Sequence, residues 1–403
     1  MTTKQRDRIT SLEICPLPAP LFAEFVRGSG GVVWAGLARR AAIHARRIES
    51  VAVASDVLGR SAISSSAREI QDAAADGEDA TRFLNSPVVG MWLQAAVVCL
   101  DREADQAAVS KMAGSTSVEA VDSCLCRMAE LCVAESAGHD LPSYDSESCL
   151  AKEWVPGLRD PSTWLLPDQS LASLLQQAWL RVGDVLPELA GMAKSILSRV
   201  VGHRMKAGRL VSSTFSEMLG CIYVTEHVDD ALLGEQLVHE TAHTMLFAAQ
   251  TLDDLVLESW VNESWEDARY YSPWRQDPRP LNGVLHGCFV FHEVARYWLR
   301  QPISAPARAG RLGLLTAQLQ AGLETLKTHG KWTSAGRAFF SELSQQVDAT
   351  LSEVQTSVNG SRVPAVDIES LDCEAPVDCE QHALRHRNEW VQRNGAIVGS
   401  THA

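Results

Sequence analysis

The run His239-Glu240-Thr241-Ala242-His243 has the clearest capacity for chemistry in this sequence. Helical spacing puts the two histidines one turn apart on one face, where both imidazoles can share a cation at about 2.0–2.1 Å each. Glu240 lies about 100° around such a helix. It is suited to a metal-bound water, or to the surroundings of a ligand, rather than to ligation. Leu237, Val238, Met245 and Leu246 make the flanks apolar. Buried there, two histidines and a carboxylate need polar partners, and a metal ion would supply them. The plain alternative is a pair of core histidines bonded to protein groups.

A third ligand would decide the chemistry, and the sequence offers two. Glu263 follows Asn262 in VNESWED and resembles the last zinc ligand of thermolysin-like proteases. Two histidines, one glutamate and an open water position would make a zinc peptidase, with Glu240 as general base. His286 in NGVLHGCFVF is the other candidate. It follows SPWRQDPRP, a proline-stiffened loop carrying Arg275 and Arg279. A rigid guanidinium fork matches a carboxylate bidentately, as a dicarboxylate co-substrate of a metal would need.

At these residues the sequence resembles the HExxH-type alpha-ketoglutarate-dependent peptide beta-hydroxylases. LVHETAH, YYSPWRQDPRPLNGVLHG and FVFHEVARYW carry the likeness, with NSPVVGMWLQ and TSAGRAFFSEL as fainter echoes, over about residues 85–350. The resemblance implies that His239 and His243 bind Fe(II), with His286 as third ligand. It implies that Arg275 or Arg279 holds the far carboxylate of alpha-ketoglutarate, that Glu240 acts near the metal, and that O2 takes the remaining position. The reaction implied is decarboxylation of the keto acid to succinate and hydroxylation of the β-carbon of a residue in a ribosomally made precursor peptide. A zinc metallopeptidase using Glu263, and a non-catalytic scaffold with a structural metal site, are the alternatives.

The elements that must position these residues are mostly helices. Apolar periodicity predicts two helices broken at Gly28 to Gly31, one starting near Pro87, and a long stretch from Asp168 to Met205 interrupted at Pro187. RLVSSTFSEMLGCIYVTE reads as one or two strands. The HETAH helix follows, with Asp229 or Asp230 as N-cap. Three prolines and a glycine make SPWRQDPRPLNG a loop. Helices follow over VLHGCFVFHEVARYWLRQ, RLGLLTAQLQAGLETLKTHG and TSAGRAFFSELSQQVDATLSEV. The expected fold is mainly α with a small β element (α+β). The expected organisation is an N-terminal helical region over 1–84, the metal-binding catalytic unit over 85–357 and a loosely packed tail over 358–403.

Composition narrows the function classes. Net charge is −14, against a nucleic-acid partner, because phosphate contacts demand a basic face. Arg39, Arg40, Arg46 and Arg47 form a local basic stripe, read as a solvated face, with a docking patch for an acidic peptide as the alternative. No apolar run is long enough for a membrane span, and the first residues lack the apolar core of a signal peptide. The expectation is a cytoplasmic protein that acts on a peptide. Cys373, Cys379, His382 and His386 read as part of a polar surface helix rather than a zinc site, and the ten cysteines as reduced thiols. No GxxxxGKS phosphate loop or GxSxG elbow is present.

Overall fold

The structure, a computed structural model, describes residues 18–76, 80–100, 122–123, 125–130, 132, 169–203, 212–225, 229–257, 270–302, 306–359 and 385–394. It is mainly helical with one small sheet, as the periodicity predicts. The contacts divide it into two units that interleave in sequence, where the sequence reading laid three segments end to end. One holds residues 34–172 and 195–226 beside the first sixteen; the other holds 17–33, 173–194 and 227–403.

In the first unit, α2 (Gly31–Val57, most of its length), α3 (Ser61–Asp76), α4 (Ala80–Leu84) and α5 (Pro87–Leu100) pack around Ile48, Ile63, Ile70, Trp92 and Leu125. Pro87 opens α5, where its missing N–H costs nothing. The basic stripe on α2 leaves Arg46 and Arg47 exposed, while Arg40 is half-buried and donates to the Glu217 carbonyl. The sheet has three strands in the order β1 (Arg199–His203), β3 (Cys221–Thr225), β2 (Ser213–Thr214). β1 runs parallel to the fully buried β3, and β2 antiparallel. β2 and β3 fall inside the stretch read as strands. β1 does not: the helical reading ran through SRVVGH. A short apolar run has no period of its own, and pairing with β3 decides it.

The second unit is built from α1 (Ala19–Val26), α6 (Gln169–Val185, from Ser173), α7 (Pro187–Ile196, to Lys194), α8 (Asp230–Gln250), α9 (Leu281–Leu299), α10 (Pro306–His329), α11 (Ser334–Asn359) and a last helix, α12, over 385–394. Pro187 separates α6 from α7 as expected. α9 packs on α8 and α10, and α1 on α11. Phe25 ties α1 to both α9 and α11, with its ring centroid 5.3 Å from Phe289 and 6.0 Å from Phe339. The tail read as loosely packed contains α12, whose Trp390 is 4% and Asn394 8% exposed. Among the described residues no helix is long and apolar enough to cross a membrane.

Candidate metal centre

α8 carries the HETAH run. Asp229 caps it, its carboxylate accepting from the backbone N–H of Ala231 and Leu232, and Asp230 adds negative charge to the first turn. Most of the helix is buried. Only Glu235, His239, His243, Phe247 and Gln250 form a half-open stripe in the site's part of it, at helical spacing. The two histidines therefore stand together because most of the helix, apolar but for Gln236, Glu240, Thr241 and Thr244, is turned into the core. Their ring centroids lie 4.9 Å apart. Glu240 lies off the stripe and is 1% exposed, with its Oε1 3.8 Å from His239 Nε2.

α9 brings His286 to the same place. His286 Nδ1 lies 3.1 Å from His243 Nδ1, and the two rings stack at 5.3 Å. A chain of amides fixes which nitrogen of His286 carries the proton. Gln250 Nε2 donates to Asn282 Oδ1 at 2.6 Å, so Gln250 Oε1 is the acceptor facing His286 Nε2 at 2.7 Å. His286 Nε2 must then carry the hydrogen, and its Nδ1 presents a lone pair to His243. Two imidazole nitrogens at about 2.1 Å from one cation, near a right angle, stand about 3.0 Å apart. The observed separation fits a shared ion, and it also fits an N–H···N bond donated by His243.

Burial keeps all three imidazoles neutral. It pushes His239 down to about 3, with the Arg311 charge adding to the effect. It holds His243 and His286 well below the usual histidine range, each aided by a neighbouring histidine. Neutral imidazole is the ligating form, so the donors suit a divalent transition metal without a proton to displace. Among the described residues no three His, Cys, Asp or Glu side chains converge as a ready-made set for an ion. His243 and His286 form a pair, with His239 beside it.

The walls are aromatic. Phe247 lies 4.8 Å from His286, and Phe291 meets His239 edge-on at 4.9 Å. Trp274, from the proline loop, stacks on Phe291 at 5.1 Å with the planes 5° apart. The Trp274 ring enters where two glycines leave room. A Cβ on Gly287 would stand 2.5 Å from the ring, and one on Gly322 would stand 2.7 Å from it.

That loop is closed by paired backbone bonds between Tyr270 and Arg279. Its two arginines share one carboxylate: Arg275 Nε and Arg279 Nε each lie 3.1 Å from an Asp277 oxygen. The Arg275 side chain is 57% exposed and that of Arg279 17%. The Arg279 Cβ lies 3.7 Å from where a Cβ on Gly283 would stand, one turn before His286. α12 covers the loop. His386 Nδ1 is 3.1 Å from the Tyr271 hydroxyl, Trp390 packs edge-on against Tyr271, and Asn394 donates to the Gln276 carbonyl. Glu263, Cys373, Cys379 and His382 lie outside the described residues.

Sequence spacing missed Glu235, Phe247 and Gln250, although extending HETAH by one turn before it and two after gives that stripe. Arg311 and Phe291 had no local signal. No family profile matches the chain, and no curated protein matches it in sequence.

Proposed function

We propose that the protein is an Fe(II)- and alpha-ketoglutarate-dependent oxygenase that hydroxylates the β-carbon of a residue in a peptide. The observation that carries this reading is the His243–His286 approach, with Gln250 holding the far nitrogen of His286. A metal-bound histidine characteristically donates its other N–H to an acceptor that fixes its tautomer. His239, His243 and His286 would hold the iron, which when bound with the keto acid and O2 supplies the oxidising chemistry.

The chain's own groups do the rest. Phe247, Phe291 and Trp274 give the histidines an apolar, partly dehydrated wall. Arg279 or Arg275 would hold the far carboxylate of the keto acid, with Asp277 accepting from Arg275 and charge-paired to Arg279. Glu240, buried beside His239, would position or accept a proton near the metal. The ligand pattern departs from the usual two histidines and a carboxylate.

One second reading has an observation behind it. The same 3.1 Å contact is what a structural N–H···N pair would show, and that reading predicts no tight uptake of metal. Anaerobic titration with Fe(II) and then alpha-ketoglutarate separates the two.

A further inference from the structure

A second cation stands by the histidines. Arg311, on α10, places its guanidinium carbon 6.0 Å from the centroid of Phe291, the ring that packs against His239. Arg279 approaches α9 at Gly283, before His286; Arg311 approaches it at Phe291, beyond His286. The two arginines thus meet α9 on either side of His286 in sequence.

Arg311 is braced. Its Nε donates to Glu235 Oε2 at 3.0 Å and its Nη2 to Glu235 Oε1. Glu235 also accepts from Trp298 Nε1 and lies one helical turn before His239. The fork is held in plane by Glu235 and lies over the Phe291 ring at 6.0 Å, so little ordering remains to be lost on binding an anion. Glu235 takes the Nε–H and one Nη2–H, the side-on pair of the fork, while the end-on pair, one hydrogen on Nη1 and the second on Nη2, makes no other hydrogen bond among the described residues. The side chain is 19% exposed, so this remaining pair of donors is partly dehydrated yet reachable. A partly buried, pre-oriented N–H pair beside an aromatic wall is best matched by a carboxylate.

We propose that Arg311 receives a carboxylate at the His239 end of the site. The carboxylate belongs to a small acid bound with the metal or to a side chain of the peptide substrate; only the naming of that source rests on the oxygenase reading.

Succinate titrated calorimetrically into the purified full-length protein is the direct probe. Wild type binds it, Arg311→Gln weakens binding tenfold or more, and Arg311→Lys retains part of the affinity. Should Arg311→Gln misfold around the abandoned Glu235, the Glu235→Gln/Arg311→Gln double variant removes that carboxylate and shows the same loss. Two comparisons then name the source. With Fe(II) under anaerobic conditions, a preference for alpha-ketoglutarate over pyruvate that disappears in Arg311→Gln assigns the site to the co-substrate. If that preference survives, and a preference for a capped aspartate over a capped asparagine is lost instead, the site belongs to the peptide. No succinate binding by wild type, or unchanged binding by the folded Arg311→Gln variant, overturns the proposal. Succinate binding that depends on Arg311 in a protein giving no Fe(II)–keto acid complex would sink the oxygenase reading and leave the carboxylate site standing.

Discussion

Gln250 Oε1 accepts from His286 Nε2 at 2.7 Å, and the Gln250 amide is itself held by Asn282 Oδ1 at 2.6 Å. The lone pair that His286 turns toward His243 is therefore set by a residue two helical turns beyond His243 in sequence. Removing such a partner typically costs a metal site tenfold to about a hundredfold in affinity. Gln250→Ala should weaken Fe(II) or Zn(II) binding by that factor, measured by competition with a chelator, while leaving the circular dichroism spectrum unchanged. Wild-type affinity in Gln250→Ala would mean that His286 is no ligand.

The Trp274 ring fills a slot that exists only because positions 287 and 322 lack a Cβ. Gly287→Ala should destabilise the protein by about 1–3 kcal/mol, the usual cost of overpacking. Trp274→Ala should relieve most of that penalty, so a double-mutant cycle read by urea unfolding gives strong coupling. Additive effects would show that the ring does not occupy the slot.

Much of this was legible beforehand, and the part that was not has physical reasons. Asp229 as cap, the breaks at Pro187 and Gly28 to Gly31, and the proline loop are local effects of backbone chemistry, which sequence carries directly. His286 was a candidate because the loop before it is unusual. By contrast, β1 owes its strand to β3, and the Arg311–Glu235 pair joins helices far apart in sequence. α12 is a short polar segment whose single buried tryptophan acquires meaning only against Tyr271.

α12 holds the proline loop through Tyr271 and the Gln276 carbonyl. Trp390→Ala should cost up to about 3 kcal/mol where the docking is part of the cooperative fold. It should also speed proteolytic cleavage between Ser272 and Arg279, followed by mass spectrometry. An unchanged cleavage rate would contradict a bracing role.

Arg279→Ala should leave Fe(II) uptake intact and weaken alpha-ketoglutarate binding at least tenfold, by anaerobic calorimetry. Arg275 is more exposed and shares Asp277, so Arg275→Ala should do less. Wild-type affinity in both variants would remove the proline loop from the co-substrate assignment.

His292 is buried on α9, with Nε2 3.1 Å from the Thr350 hydroxyl. Burial pushes it down to about 4, against the opposing pull of Glu293. Unfolding returns it to about 6.5, so between these values the unfolded chain binds a proton that the folded one refuses. Its contribution to stability is complete above the unfolded value and declines as pH falls toward 4. From pH 7.5 to 5.5 the loss is about 1 kcal/mol. His292→Gln should flatten the pH dependence of urea unfolding by that amount, and an unchanged slope would contradict the account.

The central claim is tested most directly by adding Fe(II) anaerobically to the purified protein, then alpha-ketoglutarate, and recording the visible spectrum. The account predicts a weak charge-transfer band from the chelated keto acid, lost in His243→Ala and in His286→Ala. No band, together with no tight metal uptake, would contradict it and leave His243 and His286 as a structural pair.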